Sequence, residues 1–285
     1  MKVFKTVKEL KDTIQELKDL GKTIGFVPTM GYLHEGHLSL VRAAKKATDI
    51  VVVSIFVNPA QFSANEDLDK YPRDIERDKK LLQKENTDVL FFPSVQEMYP
   101  EGVGEKYIEV PELGGKLCGR TRPTHFRGVT TVVAKLFEMV QPDKVFFGEK
   151  DRQQLIIIKK MVQLLNLPIK IIGCPIVREK DGLARSSRNT YLSESERKAA
   201  LVLFKAINKA KDYIKKENFN VINSKKVIKI MEELISSEPL ARIDYVEIVN
   251  NNNLDPVDKI EQGNLVALAV YIGKTRLIDN WVVGE

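Results

Sequence analysis

Residues 49–57, Asp49-Ile-Val-Val-Val-Ser-Ile-Phe-Val57, form a nearly continuous β-branched and apolar run with a helical pattern on either side. A strand with one wet face alternates apolar and polar side chains. The run from Ile50 to Val53 does not, so it reads as a strand buried on both faces of a parallel sheet. Further strands are expected at 23–27, 88–92, 144–147 and 169–173, separated by helical stretches near 37–48, 72–86, 127–140 and 151–165. Pro142 should stop the 127–140 helix. Alternation of this kind predicts a doubly wound, Rossmann-like α/β domain, with its ligand outside the carboxyl ends of the strands.

The pattern changes after Val177. Ser193-Glu-Ser-Glu196 spells a capping box that opens a long helix, and a second helix is expected from Ser224 to Ser236. Three strand-like runs follow with no helix between them: Ile243 to Val249, Leu265 to Ile272 and Thr275 to Val283. Gly273-Lys274 predicts a hairpin joining the last two. The expected organisation is therefore a Rossmann-like domain over residues 1–176 and a smaller α+β domain with antiparallel strands over residues 177–285. A chain of 285 residues suits two domains of unequal size.

Composition narrows the function. The apolar run Ile50–Val57 is broken by Ser54 and is far too short to span a bilayer, so no membrane association is expected. Met1 to Leu20 mixes charged and aliphatic residues at helical spacing, unlike a signal or transit peptide. With two cysteines, Cys118 and Cys174, and no export signal, the expected compartment is the reducing cytoplasm, with both thiols packed and inert. The formal charge of +6 suits anionic ligands. Lysines alternate with acids along helices such as Lys79–Glu85, however, as on a solvated face, and no Arg-rich arm, zinc finger or aromatic RNP-like strand is present. Small anions rather than nucleic acid are the expected partners.

Two of the three histidines stand three positions apart in Met30-Gly-Tyr-Leu-His34-Glu-Gly-His37, between a strand and a helix. At a helix N-terminus, i and i+3 side chains share a face, and unpaired N–H groups together with the helix dipole favour an anion. Two ring N–H donors there can hold phosphate oxygens, and Gly36, lacking a Cβ, lets a flat ligand approach the backbone. H-x-G-H alone is a short pattern with many chance matches, and a solvated surface pair is the plain alternative. Zinc is disfavoured by the lack of a cysteine pair or H-E-x-x-H spacing.

Three more segments lie at strand ends. Gln61, in Asn58-Pro-Ala-Gln61, offers an amide donor and an acceptor to a hydroxy acid or amine. In Gly148-Glu-Lys-Asp-Arg-Gln-Gln154, Lys150 can neutralise a phosphate, Asp151 can accept from ribose hydroxyls, and Gln154 can point toward the same crevice as Gln61. In Gly182-Leu-Ala-Arg-Ser-Ser-Arg-Asn189, two hydroxyls and the planar fork of Arg188 make a phosphate clamp. A helix cap is the plain alternative for the segment at Gly148–Gln154, and a solvated linker would resemble the Gly182–Asn189 loop, but the position of that loop at the opening of the second domain favours the clamp.

Taken together, six segments resemble the pantoate–β-alanine ligase family of the H-x-G-H nucleotidyltransferase superfamily. They are Phe26-Val-Pro-Thr-Met-Gly31 with His34-Glu-Gly-His37, Ser54-Ile-Phe-Val-Asn-Pro-Ala-Gln-Phe62, Tyr71-Pro-Arg73, His125-Phe126 with Gly128-Val129, Phe147-Gly-Glu-Lys-Asp151 with Gln153-Gln154, and Ser186-Ser-Arg-Asn189. They fall in register over residues 23–192. The resemblance implies that Met30, Gly31, Tyr32, Leu33, His34, Glu35, Gly36 and His37 bind ATP, with His37 the catalytic histidine and His34 beside it on the phosphates. It implies further ATP contacts from Gly148, Glu149, Lys150 and Asp151, from the backbone of Val177, and from Arg185, Ser186, Ser187 and Arg188. Of these, Lys150 and Arg188 join the two histidines in catalysis. Gln61 and Gln154 would bind pantoate, with Gln61 also near β-alanine and with Arg122 and His125 lining the same region. Mg²⁺ carried on the ATP phosphates and a homodimer are implied as well. Two residues depart from the family pattern: Thr124 replaces a glycine whose turn would want positive φ, and Arg185 replaces a bulky apolar residue. The rival expectations are another nucleotidyltransferase of the superfamily, or a non-catalytic nucleotide- or RNA-binding protein on the same scaffold.

Overall fold

The computed structural model describes residues 1–62, 67–104, 106–217 and 222–285. The chain opens with β1 (Lys2–Phe4) and α1 (Val7–Asp19), followed by β2 (Ile24–Thr29), α2 (Glu35–Ala47), β3 (Ile50–Ile55), α3 (Ile75–Lys84) and β4 (Val89–Phe91). Three short helices, α4 (Val95–Met98), α5 (Pro111–Gly114) and α6 (Cys118–Thr121), lead to α7 (His125–Val140), β5 (Lys144–Gly148), α8 (Arg152–Leu164) and β6 (Lys170–Cys174).

The strands form one sheet in the order β1-β4-β3-β2-β5-β6, and every pairing is parallel. The chain winds outward from β2 through β3 to β4, then returns to the far side of β2 with β5. The strand order therefore reverses between β2 and β5, the point at whose carboxyl ends an open α/β sheet binds its ligand. Val51, Val52 and Val53 are fully buried, as a strand covered on both faces requires. Helix α2 lies against β2, β3 and β5 and lends Val41 and Ala44 to the core around Val27, Val53, Leu90 and Phe146. Strand β1 lies in a stretch read only as helix. At three residues it is too short for periodicity to reveal, and its pairing with β4 defines it. Helix α7 ends at Val140, and Gln141 turns the chain in the left-handed region (φ 43°) just before Pro142. Thr124, at its start, has φ −93°, so the turn it occupies does not need a glycine.

A second unit runs from Ile176 to Glu285. It contains α9 (Glu194–Ala199), α10 (Leu201–Lys216), α11 (Ser224–Ser236) and the antiparallel sheet β7 (Ala241–Val249), β8 (Leu265–Ile272), β9 (Thr275–Val282). Gly273-Lys274 is the two-residue turn between β8 and β9, with Gly273 at φ +55°. The Ser193–Glu196 capping box forms reciprocally, but the helix it opens stops at Ala199 and restarts at Leu201. The core of this unit gathers Leu203, Ile207, Met231, Leu268 and Trp281.

Two short segments from earlier in the chain, Lys116–Cys118 and Lys150–Gln153, also belong to this second unit. The cause is polar. Gln153 accepts the Cys118 N–H (3.0 Å) and donates to the Lys116 carbonyl (2.7 Å), Arg152 donates to Asn251 (3.1 Å), and Asn280 donates to the Lys150 carbonyl (2.8 Å). Among the described residues no helix is long and apolar enough to cross a membrane.

Candidate active site

The segment that leaves β2 is held from below by α3. Gly31 has φ +82°, and a Cβ there would come within 2.9 Å of Ile55. Tyr32 follows in the left-handed region at φ 50°, a conformation an L side chain adopts only when its surroundings fix it. Here the Asp78 carboxylate fixes it, accepting the N–H of Tyr32 at 2.7 Å and of Leu33 at 2.8 Å. Its neighbour Arg77 donates to the Leu33 carbonyl (2.9 Å) and lies 4.8 Å over the Tyr32 ring. Asp78 is 1% exposed, and burial raises its carboxyl pKa against the opposing pull of the two N–H groups. Sequence reasoning missed this residue. Its signal was a carboxylate on the apolar stripe of α3, three residues after Ile75 and four before Leu82.

At the end of that loop the two histidines cap α2 themselves. His34 is the N-cap, and its Nδ1 accepts the Gly36 N–H at 3.1 Å; Nδ1 of His37 accepts the His34 N–H at 3.3 Å. The ring centroids stand 4.1 Å apart. This alters the expected anion site in two respects. Backbone N–H groups at this helix start are partly occupied by the rings, those of His34 and Gly36 each donating to an Nδ1. The space a Gly36 side chain would fill is taken by the His34 ring, 2.9 Å from the Cβ position, so the glycine makes room for the histidine. Because each Nδ1 accepts a hydrogen bond, the neutral ring carries its hydrogen on Nε2. The capping box thus fixes both tautomers as Nε2–H donors, the form that binds phosphate oxygens.

Beside this loop lies Gln61, on the 3₁₀ turn Pro59–Gln61 after β3. It is 8% exposed, its Nε2 stands 2.7 Å from Met30 Sδ, and its Oε1 accepts from Asn58 at 3.3 Å. Asn58 donates to the Gly128 carbonyl (3.0 Å) and accepts from the Tyr99 hydroxyl (2.7 Å). Burial pushes that hydroxyl up to about 12, so it stays a donor. The third histidine, His125, places Nδ1 2.9 Å from the Gln61 carbonyl, which can only accept. His125 is therefore the Nδ1–H tautomer, opposite to the other two. Gln61 and Met30 stand side by side, with Asn58 and Tyr99 as supports that the sequence did not reveal. Gln154 is half-buried on the first turn of α8.

Gly148 ends β5, and a Cβ there would meet open space. The Glu149 carboxylate instead lies within 2.7 Å of where a Gly173 Cβ would be, facing β6; burial raises the Cys174 thiol pKa, and the Glu149 charge adds to it. In the second unit, the Lys150 ammonium lies 3.7 Å from Asp151. The loop expected to clamp phosphates is fastened along its length. Arg178 makes a two-pronged ion pair with Asp279 (2.7 and 2.9 Å), the Val177 carbonyl accepts the Arg185 N–H (2.9 Å), and Arg197 bridges Glu179 and Asp181. Gly182, at φ +100°, leaves room for Phe204, whose ring a Cβ would meet at 2.1 Å. A solvated linker would show none of this. Ser186 caps the short 3₁₀ helix Ser187–Tyr191, accepting the Arg188 N–H, while Ser187 is buried and Arg185 half-buried. Lys150, Ser186, Asn189 and Asp279 line one small pocket.

A parallel sheet whose switch point sits beside a histidine-capped H-x-G-H helix defines a nucleotide-binding enzyme of the H-x-G-H nucleotidyltransferase class. A family model described as pantoate-beta-alanine ligase matches residues 2–282. The pantothenate synthetase of Caldicellulosiruptor saccharolyticus is 56% identical over 99% of both chains, and that of Thermotoga petrophila 53% identical over the whole of both. Among solved structures, pantothenate synthetase from Thermus thermophilus superposes with a TM-score of 0.93 at 43% identity, covering 99% of each chain. Pantoate-beta-alanine ligase from Francisella tularensis, complexed with beta-gamma ATP and beta-alanine, gives 0.81 at 35% identity, covering 99% of this chain and 97% of that one. The chain belongs to the pantoate–β-alanine ligase family.

Proposed function

We propose that the protein condenses (R)-pantoate with β-alanine at the expense of ATP, through pantoyl adenylate, releasing AMP and pyrophosphate. The observation that carries this is the contact between Gln61 and Met30 beside two histidines locked as Nε2–H donors. It supports reading Gln61 as the amide that orients the acid and the neighbouring helix start as the phosphate site.

In the first step a pantoate carboxylate oxygen attacks the α-phosphorus, and the bond from that phosphorus to the bridging oxygen of pyrophosphate breaks. Nε2–H groups of His34 and His37 meet charge as it grows on the phosphate oxygens, and Lys150, Ser186 and Arg188 hold the rest of the triphosphate. In the second step the β-alanine amine attacks the acyl carbon, AMP leaves with the shared oxygen, and the nitrogen loses a proton. No side chain forms a covalent bond. Rate comes from alignment and preorganised donors. Gly148 and Asp151 bind ribose, the Val177 backbone binds adenine, and Gln61 and Gln154 hold pantoate, in a region that includes Arg122 and His125.

Mg²⁺ enters with ATP as part of the substrate and neutralises phosphate charge. In this reading its donors are chiefly the triphosphate's own oxygens. In the same reading, residues 177–285 close over the nucleotide during turnover, and the protein works as a cytoplasmic homodimer. Sedimentation at the mass of a single 32.4 kDa chain would remove the dimer.

The deciding experiment follows AMP release from ATP with pantoate, with β-alanine and with both. Release that needs both acids is expected, with pyrophosphate exchange on pantoate alone. AMP release with another acid but not pantoate would favour a different acid-activating enzyme, and nucleotide binding without pyrophosphate release would remove catalysis altogether.

A further inference from the structure

Strand β9 carries two consecutive buried polar residues, Asp279 (3% exposed) and Asn280 (6%), between Leu277 and Trp281 of the core. Their side chains reach chain segments outside the small sheet. Asn280 Nδ2 donates to the Lys150 carbonyl at 2.8 Å. The Asp279 carboxylate accepts the Asn280 N–H at 2.8 Å and both prongs of Arg178, which also donates to the Gly182 carbonyl at 3.1 Å. Arg178 and Gly182 belong to the loop that ends at Ser186. One dipeptide therefore fastens both the segment bearing Lys150 and the loop bearing Ser186 and Arg188, and Asp279 lines the same small pocket as Lys150 and Ser186.

A role in stability alone does not account for this pattern. Buried ion pairs such as Arg178–Asp279 are often replaceable by well-packed apolar residues without loss of stability, so they are weak devices for stability by itself. They are effective at fixing one geometry, because a misdirected buried donor loses its partner. The Asn280 amide reaches the carbonyl of a residue whose side chain is a proposed triphosphate ligand.

We infer that Asn280 is a positioning residue for adenylation. By holding the Lys150 backbone while Asp279 anchors the Arg178–Ser186 loop, it sets the spacing at which Lys150 meets the triphosphate. Asn280 touches no substrate itself. The inference rests on the assignment of Lys150 and Ser186 to the triphosphate.

The test is a double-mutant cycle on kcat/KM for ATP, read as pantoate-dependent pyrophosphate formation. Asn280→Ala should lower that value about 10–100-fold, as a misplaced group does, and raise KM for pantoate far less. Asn280→Asp keeps the shape but turns a donor into an acceptor facing a carbonyl, and should be at least as impaired. In a Lys150→Ala background, adding Asn280→Ala should cost less than about twofold. A loss of the same size in both backgrounds, or unchanged kcat/KM in Asn280→Ala, overturns the positioning role. Unimpaired Lys150→Ala would instead remove the triphosphate assignment beneath it. A thermal melt of each variant separates these outcomes from loss of fold.

Discussion

Replacing His37 by alanine removes two groups at once, the Nε2–H donor and the Nδ1 that accepts the His34 N–H. The expected result is a fall in adenylation of roughly 10²–10³-fold, with about 0.5–2 kcal/mol of stability lost along with the cap. His37→Asn separates the two, because an amide oxygen can cap but does not reach as an imidazole does. Its melting temperature should recover while single-turnover pantoyl adenylate formation stays low; recovery of both would deprive Nε2 of its role. Asp78 permits a different test. Its folded pKa lies above the ordinary value of 3.8 because burial disfavours the charge. The ionised form therefore weighs against the fold at neutral pH, and that penalty disappears as pH falls through the folded pKa toward 3.8. Asp78→Asn lacks the titration but leaves one of the two loop N–H groups facing an amide NH₂. Over that acidic window, wild type should gain stability relative to Asp78→Asn in matched chemical denaturation. A gap that moves the other way would show that the N–H bonds outweigh desolvation.

At the scale of elements, α7 and the 3₁₀ turn carrying Gln61 are pressed together with no side chain between them. A Cβ on Gly128 would stand 2.2 Å from the Ala60 carbonyl oxygen and 2.7 Å from Gln61 Cα. Gly128→Ala is therefore expected to destabilise by about 1–3 kcal/mol and to raise KM for pantoate more than KM for ATP, since the displaced element is the one that bears Gln61. Steady-state kinetics with each substrate varied in turn would check this, and an effect confined to ATP would detach Gln61 from pantoate. Elements differ in how far their residues announce them. Helix Ser224–Ser236 and strand Leu265–Ile272 form with the bounds their patterns suggest, because each has a sharp cap or turn at its ends. The break between α9 and α10 falls at Ala200-Leu201, where there is no glycine, proline or cap to mark it. Ala199, Ala200, Val202 and Leu203 around it are buried in the core of the second unit.

For the molecule as a whole, the two units have separate cores, and the chain's single tryptophan, Trp281, lies in the second. Tryptophan fluorescence should then follow unfolding of that unit alone, while far-ultraviolet circular dichroism follows both. Non-coincident denaturation curves are expected, and superimposable ones would mean that the units unfold as one. Local order along the chain was enough to specify the buried parallel strands, the helices between them and the hairpin at Gly273-Lys274. It also spelled six motifs specific enough to indicate the family. How separated residues use one another emerged only from the packed chain. Asp78 holds a loop more than forty positions earlier, the His34 ring occupies the space that Gly36 leaves, and Asn280 reaches back to Lys150. Hydrogen bonds and close contacts of this kind leave no periodicity in the chain, because their geometry exists only once the strands and helices that carry them have packed.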